Sequence, residues 1–432
     1  MDILTRSNSG YYITNYSNEH RRELTVKPFV IEKYAFYNKF HKIYREENGR
    51  MYIPRYYGIQ KGFKLRTLQT TADILERSLV SKVPFKGTIR HEQQNVIDKS
   101  LKVIRESGGG ILELPCGFGK TVIAIYIALQ LSVKTLILVH KTDLLQQWIS
   151  RITMFTDIQE KDIKIIQGKT MEIGDLFTVG MLQTMSKKEY PDGFLTQFGF
   201  VIADECHHLA SETFSKVLFK LSSKWTLGLS ATPERKDQIS IVFHWHLGPI
   251  IHKETLKIKG SIPIVKTTKL DTIIHKDILD KNGNISNPVM LSALAENNDR
   301  TDIIIDIIKK YPDYKMMVLS GRISQLKYMA EKLENASLYI GNMKMESLED
   351  SKKANIILAT YSIAAEGLDI PDLECVLFAT PKSDIIQSVG RILRKEHQRN
   401  PLILDFTDCH PIFYAQQRKR RAFYKESNFI QE

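Results

Sequence analysis

The eight residues Leu114-Pro115-Cys116-Gly117-Phe118-Gly119-Lys120-Thr121 have the types and spacing of a phosphate cradle. They follow the apolar run Ile111-Leu112-Glu113-Leu114 and open a helix-like stretch over 122–131. Strand, glycine turn, Lys-Thr and helix is the context such a loop requires. Backbone N–H groups of Cys116, Gly117, Phe118, Gly119, Lys120 and Thr121 can converge on one concavity, and the two glycines let the chain approach phosphate oxygens closely. The helix start adds the positive end of its dipole. Lys120 is suited to reach the β- and γ-phosphates, and the Thr121 hydroxyl to hold Mg²⁺. Leu114 stands where the usual pattern begins with glycine. Taken alone, the octet also fits a glycine turn after a buried strand.

Hydrolysing a nucleotide further needs a metal-holding acid and a group that positions water. The apolar run 200–203 ends in Asp204-Glu205-Cys206-His207. A buried strand that ends in adjacent acids puts them at its carboxyl end, the ligand edge of a doubly wound sheet. Asp204 is suited to bind Mg²⁺, Glu205 to polarise the attacking water, and His207 to link this site to a neighbouring turn. Without the strand, an Asp-Glu pair reads as a solvated loop. His207-His208 has no further cysteine or acid at zinc spacing. Ser230-Ala231-Thr232-Pro233 follows another apolar run and offers small hydroxyl groups that can relay nucleotide state. Farther on, Gln387-Ser388-Val389-Gly390-Arg391-Ile392-Leu393-Arg394 spaces two arginines to share one helix face. Guanidinium forks suit the charge developing on a γ-phosphate and typically supply a factor of about 10³ to 10⁵ in rate. Standing alone, the segment also reads as a basic surface helix. Upstream, Gly367-Leu368-Asp369-Ile370-Pro371 gives a glycine turn and an acid that can face a ribose or the arginines.

The elements that must position these groups follow a βαβ rhythm. Apolar runs at 111–114, 135–139, 163–166, 178–181, 200–203 and 226–229 alternate with helix-length segments, and a second set follows at 316–319, 356–359, 376–379 and 402–405. Alternation of this kind predicts two α/β lobes in tandem, each built on a parallel sheet. The stretch 251–295 is harder to read. Residues 1–84, rich in Tyr, Phe, Lys and Arg, predict a small α+β accessory domain. Lobe 1 is expected over 85–250, lobe 2 over 251–410, and a basic tail over 411–432 that carries Arg418-Lys419-Arg420-Arg421 in a helix.

The chain has 432 residues, enough for roughly two to four domains, and 43% hydrophobic content, which fits globular packing. Its 61 basic and 49 acidic residues leave a net charge of +12, which favours a polyanionic partner, nucleic acid first. No apolar run approaches the ~18 residues of a membrane span, and Met1 to Gly10 has no apolar leader pattern. Cysteines at 116, 206, 375 and 409 lie too far apart for a zinc array or a disulfide framework and suit a reducing, intracellular compartment.

In this order, Gln93, the phosphate loop, Asp204-Glu205-Cys206-His207, Ser230-Ala231-Thr232, the Gly367 segment and the Gln387 to Arg394 segment resemble superfamily 2 helicases and translocases, over about 85 to 410. The likeness is nearest to the DExH group of xeroderma pigmentosum B-type repair translocases and phage recombination helicases. It is carried by Ile89-Arg90-His91-Glu92-Gln93-Gln94, Val139-His140-Lys141 with Gln147-Trp148, Gln183-Thr184-Met185, and Ala231-Thr232-Pro233-Glu234-Arg235-Lys236-Asp237. Ala379-Thr380-Pro381-Lys382-Ser383-Asp384 through Arg394, and Tyr52-Ile53-Pro54-Arg55-Tyr56-Tyr57-Gly58, look like helicases of phages and large DNA viruses.

The resemblance implies two tandem RecA-like lobes and ATP as the nucleotide, with Mg²⁺. It implies that Gln93 reads adenine, since its amide both donates and accepts. It adds Gly367, Asp369 and Gln387 to the nucleotide contacts, and makes Arg391 and Arg394 complete the site from lobe 2. His140, Lys141, Gln183 and Thr184 would contact the nucleic-acid backbone from lobe 1, and Arg322 and Thr360 would do so or support it from lobe 2. The implied activity is ATP-driven movement along nucleic acid, with DNA, duplex or branched, favoured over RNA. If viral, the protein would act in the cytoplasm or nucleus of the infected cell. A duplex translocase that separates no strands, an RNA helicase and a nucleotide-gated nucleic-acid-binding scaffold stay as alternatives. Tyr11, Tyr12, Tyr56 and Tyr57 fit packing better than base stacking. The Arg418 to Arg421 cluster fits phosphate contacts or a solvated helix end.

Overall fold

The computed structural model describes residues 2–29, 40–76, 83–115, 117–231, 238–255, 260–271, 286–341, 343, 345–365, 370 and 372–432. The chain divides into two units, Met1–Thr255 and Leu256–Glu432.

The first unit holds the larger parallel sheet and a smaller one ahead of it. Strands β1 (Ile3–Ser7), β2 (Gly10–Ile13), β5 (Arg45–Glu47), β6 (Arg50–Tyr52) and β7 (Lys64–Thr67) form a mixed sheet in the order β5-β6-β2-β1-β7. A short pair, β3 (Thr25–Val26) with β4 (His41–Lys42), stands apart. This α+β module shares one apolar core with the larger sheet, in which Leu4, Ile13, Met51 and Tyr57 pack with Ile111, Leu136, Val201 and Trp245. Arg6 pins the joint. Its buried guanidinium donates to the Ser222 carbonyl at 2.9 Å and makes a two-pronged bond to Asp73 at 3.0 Å. Tyr12, Tyr56 and Tyr57 are buried, and the Tyr11, Tyr56 and Tyr57 hydroxyls bond Ser223 O, Ser107 O and Glu23. The burial of Tyr12, Tyr56 and Tyr57 is that of packing residues, and Tyr11 is half-buried.

Strands β8 (Gly109–Glu113), β9 (Thr135–Val139), β10 (Lys164–Gln167), β11 (Thr170–Met171), β12 (Phe177–Met181), β13 (Phe200–Asp204), β14 (Trp225–Ser230) and β15 (Ile250–Lys253) make the larger sheet, ordered β11-β10-β12-β9-β13-β14-β8-β15. Every pairing is parallel except the β10–β11 hairpin. Helices His91–Ser107, Lys120–Leu131 and Thr142–Phe155 flank it. β9, β12 and β13 are buried along their whole length, which is why they read as unbroken apolar runs. Parallel pairing brings the carboxyl ends of β8, β9, β12, β13 and β14 to one edge.

The second unit repeats the plan. Strands β16 (Ile264–Leu270), β17 (Met316–Ser320), β18 (Ala336–Tyr339), β19 (Ile356–Thr360), β20 (Cys375–Phe378), β21 (Leu402–Asp408) and β22 (Ile430–Gln431) lie in the order β18-β19-β17-β20-β21-β16-β22, all parallel. Residues 411–432 are built into this sheet. Helix Pro411–Glu426 buries Phe413, Arg420 and Tyr424, and β22 extends the sheet beside β16. Arg420 therefore does not belong to a solvated cluster. It is 1% exposed, pairs with Asp405 at 2.8 Å and donates to Lys382 O at 2.7 Å, while Arg418, Lys419 and Arg421 stay exposed. Among the described residues, no helix is long and apolar enough to cross a membrane.

Candidate active site

The loop after β8 is anchored at both ends. Leu114 is fully buried in the core and its N–H bonds Ser230 O at 3.0 Å. A leucine serves where glycine is usual because the position continues the strand. Gly117 (φ +81°) and Gly119 (φ +95°) adopt left-handed backbone, and Gly119 caps helix Lys120–Leu131. A Cβ at 119 would lie 2.3 Å from Nε2 of Gln93, so only glycine fits there. The Lys120 ammonium donates to Leu114 O at 3.0 Å, folded back over its own loop. Thr121 follows in the first turn of the helix. The Phe118 N–H bonds Pro115 O at 3.3 Å, which draws one cradle donor into the turn. Cys116 lies outside the described residues.

Gln93 is 3% exposed and grips the loop directly. Its Nε2 donates to Phe118 O at 2.8 Å, and its Oε1 accepts the Arg90 N–H at 3.0 Å. One N–H and one lone pair of the amide remain for a base edge. The Arg90 guanidinium also bonds Phe118 O, with Gly117 O at 3.3 Å. Arg90 was not singled out in the sequence as a site residue.

The acids stand at the end of β13, two strands from β8 across β14. Asp204 is buried. Its Oδ2 accepts the Trp148 indole N–H at 2.8 Å and its Oδ1 accepts the Glu205 N–H at 3.0 Å. Burial, then the neighbouring Glu205 charge, push its carboxyl up to about 6, against the pull of Trp148 and Lys120. A cation would relieve both causes, so the Asp204 carboxylate has the oxygen chemistry that fits Mg²⁺, and the Lys120 ammonium that acts on it has the charge that fits phosphate. Glu205 has φ +44°, a conformation uncommon and costly for a residue with a side chain. His207 Nδ1 is 3.5 Å from Glu205 Oε2 and 3.2 Å from Ser230 Oγ, the link to the turn that the sequence predicts. Thr232 and Pro233 of that turn, with residues 234–237, lie outside the described residues.

Trp148, like Arg90, touches a predicted site residue without having been assigned a place in the site from sequence. It counted toward the family likeness but carried no role. A lone tryptophan on the core face of helix Thr142–Phe155 gives no local sign of a carboxylate 56 residues away.

At the same sheet edge, the His140 ring is buried and packs in a tilted contact against His208, with centroids 3.8 Å apart. This enclosed ring is not an outward-facing backbone contact of the kind the resemblance implies. Gln183 Nε2 donates to His140 O at 2.6 Å, and Thr184 Oγ1 accepts Gly168 N–H at 3.0 Å. Lys141 caps the following helix and is half-buried.

In the second unit, the helix expected over Gln387 to Arg394 covers only Ile386–Val389. Gly390 ends it, and the Arg391 and Ile392 N–H groups turn back to Ser388 O and Val389 O, three residues earlier. The two arginines thus lie beyond the helix in different surroundings. Arg391 is buried with Nε on Ala364 O at 3.1 Å, and Arg394 is half-buried. Gln387 sits within the short helix. Arg322 bonds Ser292 Oγ at 2.8 Å, Gly321 O and Pro288 O, and Thr360 Oγ1 lies 3.2 Å from Ser362 Oγ. Gly367 and Asp369 lie outside the described residues.

Two family models match the chain: the type III restriction enzyme res subunit over residues 86–235, and the helicase conserved C-terminal domain over 299–396. A protein of Acanthamoeba polyphaga mimivirus, provisionally named as an ATP-dependent RNA helicase (L396), is 37% identical over 434 residues, which covers 95% of this chain and 82% of the relative. Among solved structures, S. cerevisiae Dbp5 bound to RNA and ADP BeF3 aligns at a TM-score of 0.55 with 12% identity, over 84% of this chain and 94% of that one. The ATP-dependent type ISP restriction-modification enzyme LlaBIII bound to DNA aligns at 0.53 with 17% identity, over 81% of this chain and 30% of that one. Both likenesses place the two sheets in the RecA-like fold.

Proposed function

The chain belongs to the superfamily 2 helicases of the phage and large-DNA-virus type, and on that premise we propose that it couples ATP hydrolysis to movement along DNA. The observation that carries the proposal is the pair Asp204 and Glu205 held at the sheet edge that bears the glycine loop, one carboxylate fixed by Trp148 and the other in a strained backbone.

The roles follow from the chemistry. Loop N–H groups and Lys120 bind the triphosphate, and Gln93 ties the state of the loop to the base. Thr121 and Asp204 would hold Mg²⁺, which would supply charge neutralisation on the phosphates. Glu205 orients the attacking water and draws off its proton, and His207 carries the outcome to Ser230. Arg391 and Arg394 of lobe 2, with Gly367, Asp369 and Gln387 nearby in sequence, answer the γ-phosphate charge. Contacts to the nucleic-acid backbone carry no sequence information, and the protein can therefore step along a strand.

Lobe 1's match to a restriction-enzyme model supports DNA, and the +12 charge supports a polyanion of either kind. RNA is the second reading, favoured by the name of the mimivirus relative. ATPase assays with duplex DNA, forked DNA and RNA decide between them, with a strand-displacement assay beside a triplex-displacement assay for unwinding against translocation. Lys120→Ala is expected to abolish turnover, and Arg394→Ala to keep ATP binding while losing turnover. Near-wild-type hydrolysis by Lys120→Ala would refute the motor.

A further inference from the structure

Three imidazole rings run along the carboxyl edge of the first sheet. His207, at hydrogen-bonding distance from Ser230 Oγ and 3.5 Å from the Glu205 carboxylate, lies 4.3 Å from His208, centroid to centroid. His208 lies 3.8 Å from His140, with the planes inclined by 33°. The His140 carbonyl in turn accepts the Gln183 amide at 2.6 Å, and β9 and β12, whose ends carry these two residues, pair in register at Val139 and Met181. A contiguous packed path therefore runs from Glu205 to the Lys141 and Gln183-Thr184 segments, which the family resemblance, and not any outward contact of the enclosed His140 ring, assigns to nucleic acid.

We infer that the tilted His140–His208 ring contact transmits nucleic-acid engagement to Glu205, with His208 as the positioning residue at its centre. The inference rests on the motor reading and deepens it. Two physical points favour it. Packed rings this close have no slack, so a shift of the His140 segment displaces His208 and then His207 rather than being absorbed. The same segment also leads into helix Thr142–Phe155, whose Trp148 holds Asp204. One displacement at the end of β9 thus reaches both carboxylates by separate routes. Glu205, already at a left-handed φ of +44°, is the partner whose backbone has most to gain from a small rearrangement.

The test uses the full chain with His208→Ala, which removes the ring, and His208→Phe, which keeps a ring without its nitrogens. ATP turnover is measured with and without one 20-mer as DNA and as RNA, and oligonucleotide affinity is measured in parallel. His208→Ala is expected to keep basal turnover and affinity within about twofold while the stimulation factor falls at least ~5-fold, the lower end of coupling between sites. His208→Phe is expected to retain most of the stimulation. Wild-type stimulation in His208→Ala overturns the inference, as does equal loss in both variants, which would assign the effect to the ring nitrogens or to folding. Absence of stimulated turnover in the unmodified protein with either oligonucleotide overturns the motor reading itself.

Discussion

The Trp148 indole nitrogen lies 2.8 Å from the Asp204 carboxylate, both side chains are buried, and 56 residues of chain separate them. The hydrogen bond favours the charged form of an acid that burial and Glu205 disfavour. Trp148→Phe keeps the bulk of the ring and removes the donor. A hydrogen bond to a charged group is worth about 1.5–3 kcal/mol, so the Asp204 carboxyl rises by about one pH unit or more. The acid limb of the ATPase pH profile is expected to move up correspondingly, with activity recovering at alkaline pH. An unmoved acid limb would remove Trp148 from the mechanism.

The same carboxylate links stability to pH and to Mg²⁺. Asp204 titrates near 6 in the folded protein, above its usual 3.8. Its contribution to stability is therefore present below about 4 and lost as pH rises through 6, on the order of 1–3 kcal/mol. Buried His246 acts in the opposite sense. Burial lowers it to about 3 from 6.5, so its contribution is present above 6.5 and lost as pH falls. A melting temperature without metal mixes the two. The increment in Tm between MgADP and ADP with chelator cancels His246 and leaves the groups that bind the metal, Asp204 and the nucleotide phosphates. It is expected to be larger at pH 8 than at pH 5, where Asp204 is largely protonated. Equal increments would show that Asp204 does not hold the cation.

Much of the core was legible because of what burial does to composition. β9, Thr135–Val139, falls where expected, since a parallel strand covered on both faces has no polar side to show. β16, Ile-Val-Lys-Thr-Thr-Lys-Leu, was not legible. Its face alternates, and its identity comes from seven consecutive pairings with β21. Of the site, the glycine loop and the acids are contiguous in sequence and carry local patterns. The Trp148–Asp204 bond and the His140–His208 ring contact join residues brought together only by the order of strands. The expected helix over Gln387 to Arg394 was shortened by Gly390, whose cost in a helix the arginine spacing conceals.

Gly119 offers a direct probe of the loop. Placing alanine at φ +95° costs about 1–2 kcal/mol, and its methyl would force Gln93 off Phe118 O. Gly119→Ala is expected to lower Tm and weaken ATP binding by at least ~10-fold. Adding Gln93→Ala relieves the collision and recovers part of the stability, but not the affinity, because the strained backbone remains. Unchanged ATP affinity in Gly119→Ala would dissociate this turn from the nucleotide.

The basic cluster near the C-terminus separates into two jobs that mutation can distinguish. Arg420 is enclosed with Asp405, which also accepts the Tyr424 hydroxyl at 3.1 Å, and its fork reaches the carbonyls of Lys382 and Phe406. Removing one member of a buried pair strands the other, at about 3–5 kcal/mol. Arg420→Met is therefore expected to lower Tm sharply, and Arg420→Met with Asp405→Asn to recover much of the loss, since the neutral amide oxygen still accepts from Tyr424. Arg418 and Arg421 face solvent. Their double alanine variant is expected to leave Tm unchanged while reducing the slope of log Kd for nucleic acid against log salt by about two, one for each phosphate that is no longer neutralised. An unchanged slope would show that these arginines do not touch the polyanion. A small Tm change for Arg420→Met would show that helix Pro411–Glu426 is held by its apolar residues, Phe413 and Tyr424, rather than by the ion pair.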